Sequence, residues 1–345
     1  MLIFAYSYLH DIINGKIRRP NLTILTNTWV NQIDIKDDVA TGITVKFESG
    51  ETSRLFSKAE TILCGGAIDT PRLMLHSGLG PRQQLENLGI KVVKDLPGVG
   101  ENLQDHPETI IMWELKTRVP ENQTTMDSDA GVFLRREKIN AAGDDGDAAD
   151  IMMHCYQIPF TFNTGRLGYP GPAEGFAFCM TPNIPRPRSR GRMWLSSADP
   201  AEKPKLDFQY FTDPEDYDAQ TLVAGIKAAR KIAEQAPFST WLKQEVAPGP
   251  ACQTDEEISE YARRAAHTVY HPVGTTRMGP SSDPMTVVDA QLKVHGLKKL
   301  RIADAGIMPE IPTINPMVTV LAIGERAAEL IALSAGWRGE NASRL

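Results

Sequence analysis

The sequence predicts a mixed architecture, α/β towards its two ends and α+β in the middle. Three observations carry this. A short apolar strand, Thr61-Ile62-Leu63, runs into Cys64-Gly65-Gly66 and then a helical pattern, the grammar of a nucleotide-binding half-sheet. From Glu108 to about Leu206 the chain reads as several strands with polar connectors, which points to an antiparallel sheet with helices on one face. Beyond residue 299 a second short strand (300–303) and a helical pattern from about Met317 to Ser334 return to the first unit. Residues 1–107 and 272–345 are therefore expected to form one domain, and residues 108–271 a second, substrate-binding one.

Each element has a local reason. Residues 21–26 (NLTILT) alternate like a strand, as do residues 42–47 (GITVKF), with Gly50 marking the next turn. Thr70 fits a helix N-cap and Pro71 the first helical position, with Leu73, Met74 and Leu75 inside and Gly78 as the stop. Residues 96–107 form a Gly- and Pro-containing loop. Strands are expected over 109–115, 151–156, 175–180 and 192–195, and a connector over 141–147. Residues 216–235 carry apolar side chains at helical spacing, and Thr254 with Glu257 forms a capping box for the next helix. The last helix places Leu321, Ala328 and Ile331 on one face.

Composition excludes several classes. The chain has 345 residues, a net charge of −6 and 41% apolar residues, ordinary for a globular protein of about two domains. No basic run fits nucleic acid, and no apolar run reaches the ~20 residues of a membrane span. Four cysteines, at 64, 155, 179 and 252, lack metal or redox spacing and read as reduced thiols of an intracellular protein; no metal site is expected. The sequons at Asn21, Asn122 and Asn341 read as chance. Ser343-Arg344-Leu345 differs from the peroxisomal Ser-Lys-Leu address by one basic-for-basic exchange; otherwise a cytoplasmic location is expected.

Three further strings stand in order. They are residues 66–80 (GAIDTPRLMLHSGLG), residues 271–279 (HPVGTTRMG) and residues 300–330 (LRIADAGIMPEIPTINPMVTVLAIGERAAEL). Together they resemble the glucose–methanol–choline (GMC) oxidoreductase family, over essentially the whole chain. The choline-oxidising branch is the nearest, through RSRG (188–191), YFTDP (210–214), VAGI (223–226) and HTVYH (267–271). The resemblance implies a partial FAD-binding domain with an antiparallel-sheet substrate domain. It implies oxidation of a small primary alcohol to the aldehyde, with hydride passing to flavin N5 and O2 as the acceptor giving hydrogen peroxide.

It also implies roles. His271 is the base and Asn315 its hydrogen-bond partner, because an alkoxide-like oxygen needs a base and a donor at one point. Asn315 also reads as the N-cap of the last helix. Glu108 and His154 are substrate-binding positions. Val30, Gly65, Gly66, Asn102, Asp304, Ala305, Pro316 and Met317 are cofactor contacts, largely through backbone. Two departures stand beside this. The tryptophan of the branch's ammonium pocket is replaced near Gly131-Val132-Phe133 by Ser128, Asp129 and Ala130, which leaves choline and other small polar alcohols open. The family's opening strand–Gly-x-Gly-x-x-Gly–helix unit is not in the chain. The alternative expectation is thus a truncated or split chain, inactive alone, completed by a partner supplying that unit; a homodimer is the other assembly considered.

Overall fold

The computed structural model describes residues 10–120, 128–136 and 149–336. The connector 141–147, Asn122, Asn341 and the tripeptide 343–345 lie outside them. The first strands, β1 (Thr28–Lys36), β2 (Val39–Phe47) and β3 (Thr52–Phe56), form an antiparallel sheet in the order β1-β2-β3. Residues 21–26 are not a strand, contrary to their alternation. Leu22, Ile24 and Leu25 stay exposed, and no described segment offers that backbone a ladder.

β4 (Thr61–Leu63) pairs in parallel with Leu300–Ile302 and turns through Gly65 and Gly66 into α1 (Gly66–His76). This helix starts earlier than its Thr70-Pro71 pair predicts, because Gly65 occupies the N-cap position and Pro71 lies inside. Proline has no N–H for the carbonyl four residues back. That carbonyl, of Ala67, accepts from the Thr275 hydroxyl instead at 2.6 Å. The Thr70 hydroxyl is also taken, donating to Asp304 at 2.6 Å.

The middle of the chain builds a seven-stranded antiparallel sheet. Its strands are β5 (Pro107–Glu108), β6 (Ile111–Leu115), β7 (Ser128–Leu134), β8 (Ile151–Tyr156), β9 (Ala177–Asn183), β10 (Leu242–Ala247) and β11 (His267–Thr268). Along one path the order is β7-β8-β9-β5-β11, and β6 bridges β9 to β10. Two helices cover it, α2 (Tyr217–Ala233) and α3 (Asp255–Ala265). In α2, Leu222, Val223, Ile226, Ala229 and Ala233 recur on one face and are buried. The Asp213 carboxylate accepts from the Tyr217 N–H at 2.6 Å, satisfying one open donor of the first turn. α3 begins with the Thr254–Glu257 capping box that its sequence predicts.

Two main apolar clusters result. One gathers the sheet with α2 and α3, including Ile110, Met112, Met153, Met180, Leu222 and Tyr261. The other joins Ile33, Met74, Leu75, Val287 and Ile302 across the two chain ends. Met193 and Leu195, from the middle segment, pack into this second cluster. Their strand, Gly191–Trp194, pairs with Glu101–Leu103 rather than with the large sheet. The final helix α4 (Met317–Ser334) matches its sequence pattern in extent, but Pro316 takes the N-cap position, not Asn315. Only Ala327 in it is buried, and Leu321 is exposed.

Where α2 crosses the sheet the approach is close. A Cβ at Gly225 would stand 2.5 Å from the Pro182 Cβ, so only glycine fits. Gly225→Val is expected to cost about 2 kcal/mol through overpacking. Urea unfolding should show a lowered midpoint with an unchanged slope.

Candidate active site

The loop before β5 and the segment after β11 are tied by one carboxylate. Asp105 is buried, and its Oδ1 accepts from the backbone N–H groups of His106 and His271, each at 2.9 Å. Its Oδ2 accepts from the Tyr210 hydroxyl at 2.5 Å. Burial pushes the Asp105 pKa up, and these hydrogen bonds oppose that rise. The consequence is that His106 and His271 meet, with their Nδ1 atoms 2.9 Å apart.

The hydrogen positions in this pair follow from its neighbours. His106 Nε2 lies 3.1 Å from the carbonyl oxygens of both Pro185 and Pro312. Carbonyl oxygens only accept, so Nε2 carries the hydrogen. Burial, then the neighbouring His271, lowers the His106 pKa to about 3, so the ring is neutral and its Nδ1 is a bare lone pair. His271 Nδ1 must therefore donate. Burial, then His154, lowers the His271 pKa to about 4, so this ring is neutral as well. Its remaining nitrogen, Nε2, is left as a proton acceptor.

The sheet places the substrate-binding candidates on one face. Cross-strand partners share a face, and Asn183 stands opposite Glu108, which stands opposite His267. Two residues along β9, Thr181 stands opposite His154. Glu108 is buried; its Oε2 is 3.8 Å from His154 Nδ1 and its Oε1 is 3.6 Å from His267 Nε2. Neither is a hydrogen bond. Glu108 Oε2, His154 Nδ1, His267 Nε2, Thr181 Oγ1 and both amide atoms of Asn183 are buried without a hydrogen-bond partner. Buried polar atoms rarely stay unpaired in a working protein, so this face is shaped to receive a polar group or ordered water.

The cofactor candidates fall into two neighbouring sets. Val30 and Gly65 line a cavity of about 290 Å³ with Trp29, Ile62, Cys64 and Arg72. Gly66 has φ +79° and open space where a side chain would stand, and its N–H donates to Asp304 at 3.0 Å. Asp304 Oδ1 also accepts from the Gly306 N–H at 2.8 Å. Asn102 has φ +61°, and its amide donates to the carbonyls of Gly274 and Pro309, both at 3.2 Å. The Gly274 N–H in turn donates to the Ala305 carbonyl at 3.2 Å. The 271–276 segment is thus threaded between the turn after β4 and the turn after Ile302. Open glycine backbone beside a cavity fits a dinucleotide laid across it.

Asn315 is placed less decisively. It is exposed, three residues beyond the Pro312 carbonyl that contacts His106, and its side chain makes no hydrogen bond to a described residue. Pro316 is buried and Met317 is exposed. Sequence reading missed Asp105, His106, Asn183 and His267 as functional positions. Asp105 and His106 directly precede Pro107-Glu108, and His267 heads the same string that ends at His271. Asn183 carries no sequence signal, since only the strand register brings it to Glu108.

Comparison with known proteins assigns the class. Two family profiles described as GMC oxidoreductase match, over residues 6–108 and 187–324. The chain belongs to the GMC oxidoreductase family, and FAD is the cofactor this membership indicates. Among similar proteins is choline oxidase from Arthrobacter globiformis, 44% identical over 95% of this chain and 58% of that protein. Another is the alcohol dehydrogenase [acceptor] of Pseudomonas putida, 35% identical over 95% of this chain and 60% of that protein. The chain therefore spans about three fifths of the length of these relatives. Among solved structures, pyridoxine 4-oxidase from Mesorbium loti superimposes with a TM-score of 0.80 at 28% identity, covering 93% of this chain and 60% of that one. Formate oxidase from Aspergillus oryzae RIB40 gives 0.82 at 26%, covering 92% and 62%.

His106 holds the His271 ring in one tautomer through the contact between their Nδ1 atoms. His106→Phe keeps the ring's bulk but removes the lone pair that receives the His271 hydrogen. With that acceptor gone, the His271 hydrogen is no longer held on Nδ1, and imidazole 15N shifts are expected to report a mixture of tautomers where the unaltered protein shows one.

Proposed function

We propose that this chain carries the catalytic machinery of an FAD-dependent alcohol oxidase acting on a small polar primary alcohol, choline-like or otherwise, and yielding the aldehyde. Bound FAD supplies the hydride acceptor at N5 and, on reoxidation by O2, the route to hydrogen peroxide. The observation that carries this reading is the His106–His271 hydrogen bond, which leaves one neutral imidazole with a free lone pair.

His271 Nε2 takes the proton of the substrate hydroxyl as the carbon–hydrogen bond breaks. Asn315 supplies the second hydrogen bond to the same oxygen; its amide is exposed and makes no hydrogen bond to a described residue. Glu108 and His154 hold the far end of the substrate on the sheet face. Val30, Gly65, Gly66, Asn102, Asp304, Ala305, Pro316 and Met317 line or support the cofactor's bed. The division into a cofactor domain (1–107 and 272–345) and a substrate domain (108–271) belongs to the same reading.

His271→Ala in the flavin-loaded protein is expected to abolish flavin reduction by any alcohol; reduction at the original rate removes His271 from the mechanism. The pH dependence follows from the lowered pKa. The base works when neutral, so activity is complete above the folded value of about 4 and is lost as pH falls through it, well below the ordinary value of 6.5. Reduction rates at saturating alcohol should be flat across neutral and mildly acidic pH.

A further inference from the structure

His267 faces the same carboxylate as His154, and its geometry poses an electrostatic problem. Its ring lies stacked against Phe160, with centroids 5.3 Å apart and planes inclined by 21°, which fixes the ring's orientation. Its Nδ1 is 3.0 Å from the Thr268 carbonyl oxygen, an atom that can only accept, so Nδ1 carries a hydrogen. In a neutral ring Nε2 would then present a lone pair to Glu108 Oε1 across 3.6 Å. Two acceptors facing each other in a buried place repel. The contact becomes favourable only when a proton lies between Nε2 and Oε1, which the greater basicity of imidazole over carboxylate places on the nitrogen, or when another cation lies against the carboxylate.

The surroundings supply no other solution. The groups facing the pair are Glu108 on β5 and His154 on β8, whose Nδ1 is 3.8 Å from Oε2; Phe160 covers the ring of His267. No lysine or arginine forms an ion pair with Glu108 among the described residues. The Asn183 amide, across the ladder from Glu108, is neutral and unpaired.

We propose that His267 is the resident counter-ion of Glu108, and that a cationic alcohol binds by displacing its proton. In the empty site His267 carries two hydrogens and Nε2–H points at the carboxylate. When the substrate's cationic group reaches Glu108, the Nε2 proton leaves to solvent and the substrate's charge replaces it. One positive charge enters and one departs, so the buried carboxylate is never left unpaired. His267 thereby makes recognition of a cation depend on pH, separately from the base His271. This inference rests on the reading of Glu108 as the substrate-binding carboxylate.

The test uses the FAD-loaded full chain and tetramethylammonium, which binds but cannot be oxidised. Calorimetric titration in buffers of different protonation enthalpy counts the protons released. At mildly acidic pH about one proton per bound cation is expected, with affinity rising about tenfold per pH unit in the range where the pair is protonated. His267→Gln should release none and bind with little pH dependence, while His154→Gln should still release its proton. Three results overturn the proposal: no binding of the cation to the unaltered protein, no proton release from it, or release that survives His267→Gln. Release that disappears in His154→Gln and persists in His267→Gln assigns the proton to the wrong ring and overturns it too. Flavin reduction by an alcohol, measured on the same samples, reports on the oxidase reading alone. Its failure with proton release intact sinks that reading and leaves the counter-ion standing.

Discussion

The candidate site depends on the buried carboxylate of Asp105. It is 2% exposed, and its partners are the backbone N–H groups of His106 and His271 and the hydroxyls of Tyr210 and Thr268. A buried carboxylate is costly unless its lone pairs are occupied, so the arrangement holds only while residues 105–106 and residue 271 stay together. Glu108 follows three residues later at the head of the sheet. Fixing Asp105 therefore fixes at once the His271 ring, the His106 ring that sets its tautomer, and the first residue of the polar face.

The cofactor side repeats this solution with different atoms. Asp304 gathers Thr70, Gly66 and Gly306, joining the turn after β4 to the turn after Ile302. Pro71 leaves the Ala67 carbonyl open inside α1, and Thr275 closes it. A feature that looks like a helix defect is thus the fastening point of the loop that carries His271. Both fastenings join residues more than 150 positions apart in the chain, and both hold the backbone that carries the candidate site.

Several parts of this were legible in the sequence. The strand–glycine–helix joint, the 3.6-residue pattern of Tyr217–Ala233 and the capping box at Thr254 each have local causes, and each is present. The string around His271 singled it out, and the structure sets its ring against His106. Residues 21–26 misled because alternation reports a strand's two faces but not whether a neighbour exists to pair with it. Thr70 misled because its hydroxyl serves both a capping motif and a distant carboxylate, and the carboxylate won. Asn315 misled as a cap because the helix begins with Pro316 at that position.

The sequence by itself determined the family, through local strings: an imidazole at the head of a glycine-containing string, a carboxylate after Asp105-His106-Pro107, and a strand–glycine–helix joint. These signals are local, because each depends on residues within a few positions of one another. Only the tertiary structure decided which nitrogen of His271 is free, since that depends on two carbonyls reaching His106 from Pro185 and Pro312. Only it brought Asn183 and His267 to Glu108, because strand register is set by the whole sheet and by no segment alone. Proton positions and counter-ions are properties of neighbours in space, and the chain order of those neighbours does not encode them.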